Sequence, residues 1–288
     1  MAGTGGSVTR ARLLLLAAAA LFSTGGAAIK GTTLSAWQVA GLRSLIAAAA
    51  LLVSLPSARR HWSLRNWLVG TVYAATLVLF VTANKLTTSA NAIFLQATAP
   101  LYILLAAPML LGERVRRQDV IFMGVIAAGM AAFALDTQAP ALSAPRPAAG
   151  NVAAAASGLT WALTVMGLRW VGRRDPEAAL NTVVAGNLTA AALCLPIGWP
   201  VTGALASDWL TLAWLGVFQI GLAYVCLSAG VKHVTALEAS LLLLLEPVLN
   251  PIWAWIVHGE RPGAWALAGG AAIIAATSIR SVLAPTRP

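Results

Sequence analysis

The chain has 288 residues, 59% of them hydrophobic and only 10% charged, with a mean hydropathy of +0.80 and a net charge of +10. A soluble domain is about 45–50% apolar and about 25% charged, so a soluble enzyme, a disordered chain and a nucleic-acid-binding domain all fit poorly. A spanning helix needs about 20 mostly apolar residues, and ten of them would use most of the 288 and leave no room for a sizeable soluble domain.

Apolar windows bounded by charges, Pro or Gly mark ten spans. The first, 13–29, follows Arg10 and Arg12. That start resembles the basic and apolar regions of a signal peptide, but the apolar run continues past Gly25 and Gly26 to Ile29, so a retained helix is expected, with the two glycines as hinge candidates. The second span is 36–55; the third and fourth, 67–83 and 90–111, are separated only by the weakly polar link Asn84 to Ser89; the fifth is 119–135. Asp136 to Gly150, with Pro140, Pro145 and Pro147, is the longest connection and reads as an extended Pro-rich linker. The remaining spans are 151–171, 179–199, 209–228, 236–257 and 264–283. The expected organisation is an N-terminal five-helix unit (1–139), an external linker (140–150) and a C-terminal five-helix unit (151–288).

The net charge reads as topology. Of nineteen basic residues, fourteen fall on the side of the N-terminus, four (Lys30, Lys85, Arg146 and Arg261) on the other, and Arg43 lies within a span. Basic residues are retained in the cytoplasm, which places both termini inside and the linker outside. Lys30 and Lys85 then sit at the outer mouth, as interfacial anchors or as guides for anionic groups. Cys194 and Cys226 lie inside apolar runs and read as small buried hydrophobes. His61, His233 and His258 lie at or near span ends without zinc spacing. No metal or cofactor is expected, and no Gly-x-x-x-x-Gly-Lys-Ser/Thr loop is present to couple ATP.

The two units are related. A shift of 147 residues brings Trp67-Leu68 onto Trp214-Leu215, Lys85 onto Lys232, Thr88 onto Thr235, Pro100 onto Pro247, and Gly112-Glu113-Arg114 onto Gly259-Glu260-Arg261; it fails for the first helix of each unit. Five crossings make the second copy enter from the opposite side, so the repeats are inverted. Inverted repeats favour secondary transporters, with the substrate site near the midplane where the units meet.

Ala28-Ile29-Lys30, Gly41-Leu42-Arg43, Pro100 followed by Gly112-Glu113-Arg114, and Leu245-Glu246-Pro247-Val248 followed by Gly259-Glu260-Arg261 resemble the drug/metabolite transporter superfamily, nearest its ten-helix EamA-type branch. The resemblance implies an all-α membrane fold of two inverted five-helix repeats. Helices 1–4 and 6–9 would surround a central cavity, with 5 and 10 at the periphery. It also implies a bacterial inner-membrane exporter of amino acids, related metabolites or drug-like cations. The small size and eleven Trp residues make the chain similar to the aromatic amino acid exporters of that branch.

Within the spans, ionisable groups are costly and face protein or water. Glu246, at the middle of 236–257 beside Pro247, is the sharpest candidate for binding a substrate amino group or carrying a proton; the alternative is a protonated glutamate hydrogen-bonded between helices. Asn250 and Trp253 follow at i+4 and i+7 and suggest one cavity-facing stripe. Arg43 suits a carboxylate held bidentately, or else a structural arginine bonded to carbonyls or an acid. Trp161, flanked by Thr160 and Thr164, is mid-span and suits stacking on an apolar or aromatic ligand, or packing between helices. Gln96, Gln219 and Tyr224 are further polar handles, as are Tyr73 and Tyr102. Trp37, Trp62, Trp67, Trp170, Trp199, Trp209 and Trp265 lie near span ends and read as interface belts. Small residues in the fifth and tenth spans (Gly124, Gly129, Gly269, Gly270, Ala271, Ala272) suit close helix packing or a homodimer surface; otherwise the chain is a monomer.

The expected partners are a small-molecule substrate and the lipid bilayer, and no nucleic acid. An intramembrane enzyme finds little support, since Ser157 has no histidine at helical depth to pair with. A channel would need a charged ring or a filter-like loop, and neither is present.

Overall fold

The computed structural model describes residues 4–60, 62–99, 101–103, 117–135, 141–172, 178–230, 242–243 and 245–283. Every element of regular length among them is helical; the single β-bridge joins Ala141 and Ala144. In chain order the helices are α1 (Thr4–Ser23), α2 (Gly25–Lys30), α3 (Ala36–Ser54), α4 (Leu64–Leu86), α5 (Ser89–Gln96), α6 (Arg117–Leu135), α7 (Pro147–Gly172), α8 (Ala178–Gly198), α9 (Ala206–Ala213), a π-helical stretch (Trp214–Leu222), α10 (Ala223–Gly230), α11 (Leu245–His258) and α12 (Ala264–Leu283). Among the described residues, six helical stretches are long and apolar enough to cross a bilayer: Val8–Lys30, Ala36–Ser54, Leu64–Leu86, Pro147–Leu168, Ala179–Gly198 and Ala206–Gly230. Parts of the fourth and ninth expected spans, with Pro100, Gly112-Glu113-Arg114, Lys232, Thr235, His61 and His233, lie outside the described residues.

Local chemistry sets the helix ends. Ser35 and Ser63 each accept the backbone N–H three residues on, from Gln38 and Asn66, whose side chains reach back to the cap N–H, so two donors at each N-terminus are satisfied reciprocally. Thr88 caps α5 in the simpler way. The junction between the third and fourth spans is therefore tighter than the expected Asn84 to Ser89 link: α4 runs to Leu86 and α5 starts at Ser89. α5 stops at Gln96, four residues before Pro100, where a proline ring removes a donor and disfavours helix. The first span breaks at Thr24, directly before Gly25-Gly26. From residue 141 on, the linker differs from the extended form expected. Ala141 and Ala144 exchange two backbone hydrogen bonds in a tight turn, Arg146 N donates to Leu86 O, and Pro147 opens α7, where its missing N–H costs nothing.

The elements before and after this turn interleave. α4 packs on α7 and α8, α3 on α8, α1 on α10 and α11, α5 on α7 and α11, and α6 on α12. At the α4–α8 crossing a Cβ on Gly70 would lie 2.8 Å from Gly186 N, so only glycine permits this approach. Large apolar side chains such as Leu64, Ile121, Val152, Leu210 and Ile256 stay exposed on the outer faces. A bilayer tolerates such a surface and water does not.

Candidate functional site

The interleaving leaves a half-enclosed chamber of about 90 Å³ lined by Phe22, Arg43, Tyr73, Thr76, Leu77, Phe80, Gln96, Trp161, Gln219, Ile220, Tyr224 and Glu246. Seven segments contribute: α1, α3, α4, α5, α7, the π stretch with α10, and α11. Arg43 is 1% exposed. Its Nη2 donates to Leu77 O at 3.2 Å and its Nη1 to Gln219 Oε1 at 3.4 Å, while Nε has no partner. Among the described residues no carboxylate lies within ion-pair distance of Arg43. A buried guanidinium with spare donors and no counter-charge is costly, and an anion in the chamber would relieve that cost.

Gln219 sits in the π stretch, a geometry that often marks functional positions. Besides accepting from Arg43, it donates to Phe22 O at 3.5 Å, and so connects α3 to the last turn of α1. Gln96 Nε2 donates to Ser157 Oγ at 2.7 Å. Three aromatic rings form the wall beside Arg43. Tyr224 meets Phe22 edge-on at 5.2 Å and Tyr73 at 5.5 Å. Glu246 lies in the first turn of α11 and makes no hydrogen bond among the described residues. The chamber thus holds one unpaired cation, one acid, two amides and an aromatic wall. As it stands the space is below the about 150 Å³ that admits a benzene ring, so a solute with a ring enters only as the walls move.

Of the residues singled out from sequence, Arg43, Gln96, Trp161, Gln219, Tyr224 and Glu246 converge on the chamber, and Asn250, Trp253 and Thr164 do not. The stripe drawn through Glu246, Asn250 and Trp253 therefore divides. Asn250 is buried against Gly26, where an added Cβ would lie 2.6 Å from its Oδ1. Trp253 Nε1 donates to Ser23 Oγ at 2.9 Å, and its ring faces a separate, more open groove of about 480 Å³ lined by Thr24, Ala27, Ala28, Gly31, Leu210, Thr211, Trp214 and Val257. Equal spacing on a helix gives a common face, but that face is broad enough to span two neighbours. Thr164, 1% exposed, donates to Thr160 O and stands 3.4 Å from Thr76 Oγ1, one layer behind the wall. Lys30 and Lys85, expected as interfacial anchors or guides at the outer mouth, are both engaged by protein groups. Lys30 is ion-paired with Glu260, and Lys85 Nζ donates to Thr32 O at 2.7 Å. The seven tryptophans near span ends are exposed to between 36% and 73%. Sequence reading passed over Phe22, Thr76 and Phe80; an apolar or hydroxyl side chain inside a span carries no signal that separates cavity from packing. Among the described residues no His, Cys, Asp and Glu cluster suits a metal.

The profile of the EamA-like transporter family matches residues 9–135 and 148–281. The chain belongs to this family. It is a multi-pass membrane transporter, not an enzyme. The EamA-like chain is 27% identical over 270 residues to the aromatic amino acid exporter YddG of Ancylobacter novellus, covering 91% of this chain and 93% of that one. A protein known from its crystal structure, 24% identical, superposes with a TM-score of 0.65 over 98% of this chain and 100% of its own, a likeness of fold.

Proposed function

We propose that this EamA-like protein exports amino acids with aromatic or other apolar side chains across the bacterial inner membrane, by alternating access through the central chamber. The observation that carries this reading is Arg43, buried with no acid in ion-pair range among the described residues, in one chamber with Glu246 and an aromatic wall. Arg43 receives the solute carboxylate. Glu246 receives its ammonium group or a coupling proton. Trp161, Phe22 and Phe80 cover the side chain, and Gln96, Gln219, Tyr73 and Tyr224 orient it. The likeness to an aromatic amino acid exporter supports the same solute class.

The architecture behind this reading is ten spans in two inverted repeats, with both termini in the cytoplasm. The 147-residue sequence repeat supports it, as do the two matched stretches, which lie on either side of the linker. The fourteen-to-four bias of basic residues supports the orientation. Export of drug-like cations in the same fold is the second reading and rests on Glu246; Arg43 in the same chamber disfavours a solute that carries only positive charge.

Counterflow with purified protein in liposomes tests both. Labelled aromatic amino acids, aliphatic amino acids and cationic drugs are offered in parallel. Saturable exchange led by the aromatic zwitterions is expected. Exchange confined to the cations would move the assignment to the second reading, and unsaturable flux would remove the carrier mechanism.

A further inference from the structure

We propose that Lys30 and Glu260 form a latch that holds one end of the central chamber shut, and that the pair must part for that end to open. The inference rests on the alternating-access reading above and adds where the closed end is locked.

Gly259 ends α11 in the left-handed region, with φ +67°, and its N–H caps Trp255 O at 2.9 Å. This turn directs the next residue back into the protein. Glu260 accordingly lies at the end of a membrane helix yet is buried. Its Oε1 meets Lys30 Nζ at 2.8 Å, with side chains only 5% and 4% exposed, and its Oε2 accepts Ser89 N at 3.0 Å. Lys30 Nζ also donates to Thr87 O at 2.7 Å and to Ser143 O. One ion pair therefore ties together the end of α2, the α4–α5 junction, the 141–146 turn and the end of α11. These chain segments come from both sides of the linker.

The segments joined are those that carry the chamber. Phe22 lies in the last turn of α1, and across the break at Thr24 the chain continues as α2 to Lys30. α4 carries Tyr73, Thr76 and Phe80, α5 carries Gln96, and α11 carries Glu246. Parting the pair would separate these elements at one end while their packing elsewhere holds.

The energetics suit a latch better than a staple. Desolvation offsets most of the Coulomb attraction of a buried pair, so the intact pair has a small net effect, while loss of one partner leaves a stranded charge. If the end opens, both charges regain water, so closed and open states stay near in energy. Below the pair, Ser89 Oγ and both polar atoms of the Asn250 side chain are buried without a hydrogen-bond partner among the described residues. Water entering an opened end would satisfy them.

The test uses the full chain in intact cells, with Cys194 and Cys226 replaced by alanine and Thr76→Cys as a reporter in the chamber wall. A membrane-impermeant thiol reagent is added outside. Lys30→Met and Glu260→Gln should each raise the labelling rate by about tenfold or more, because a stranded charge favours the hydrated, open end. The double variant Lys30→Met with Glu260→Met has no charge to rehydrate. It should fold, label no faster than its parent, and lose counterflow. Unchanged labelling in the single variants, or parental exchange by the double variant, would overturn the latch. If the single variants fail to reach the membrane, the double variant decides alone. Labelling is read without solute, so that arm is separate from the identity of the cargo; the exchange arm uses the solute that the parent protein exchanges.

Discussion

Lys30 and Arg43 are both buried cations in a chain with little charge, and the molecule treats them in opposite ways. Lys30 has a carboxylate at 2.8 Å and two backbone carbonyls. Arg43, more deeply buried, has one carbonyl, one amide oxygen and an unused Nε. Completed hydrogen bonding around Lys30 marks a contact made by the protein for itself. Incomplete bonding around Arg43 leaves donors that the proposed solute contact would use. Glu260 and Glu246 differ in a related way: Glu260 has an ammonium at 2.8 Å from Oε1 and accepts Ser89 N at Oε2, while Glu246 has neither kind of partner among the described residues.

Removing the carboxylate at the satisfied site should have the largest effect. Glu260→Ala strands Lys30 and should cost about 3–5 kcal/mol of the state in which that end is closed, read as a lower unfolding temperature in detergent. Next comes Arg43→Met, with the opposite signature. Its unfolding temperature should hold or rise, because a costly unpaired charge is gone. Solute affinity should weaken by about 1.5–3 kcal/mol, roughly 10- to 100-fold. Arg43→Lys should recover little of that, since an ammonium cannot bind a carboxylate bidentately. If Arg43→Met unfolds as early as Glu260→Ala, the contrast between the two sites is wrong.

Half of this contrast is legible in the sequence. An arginine and a glutamate inside apolar runs stand out because lipid excludes them, and both reach the chamber. The break in the first span was readable too, as two consecutive glycines. Partners distant in the chain were not. Lys30 and Glu260 are 230 positions apart, and the Gly-Glu-Arg motif marked only a repeat until Gly259 was seen to turn Glu260 inward. Thr87 and Ser143, which accept from Lys30 through backbone oxygens, leave no trace in side-chain chemistry. The repeat gave no help with the other cavity acid, since Glu246 aligns with Ala99.

Gly26 lies between the two sites and should show an intermediate effect. An alanine Cβ there would lie 2.6 Å from Asn250 Oδ1 and 2.9 Å from Ser89 Oγ, all within the packed helices. Overpacking of this kind costs about 1–3 kcal/mol. Gly26→Ala should therefore unfold earlier, and adding Asn250→Ala should return part of the loss, a coupling expected of side chains in direct contact. Strictly additive losses would mean that Asn250 is not what Gly26 makes room for.

The smallest effect tests the boundary of the chamber. Trp253 has one hydrogen bond to lose, to Ser23 Oγ. Trp253→Phe should cost about 0.5–1.5 kcal/mol of stability and leave solute affinity at the parental value, because its ring faces the outer groove. Trp161→Phe alters the chamber wall itself and should weaken the affinity for aromatic solutes. If Trp253→Phe weakens affinity as much as Trp161→Phe, the stripe through Glu246, Asn250 and Trp253 is real in the loaded transporter. The groove would then be a continuation of the chamber past Ser23 and Thr24, with the Trp253–Ser23 bond as the partition that opens.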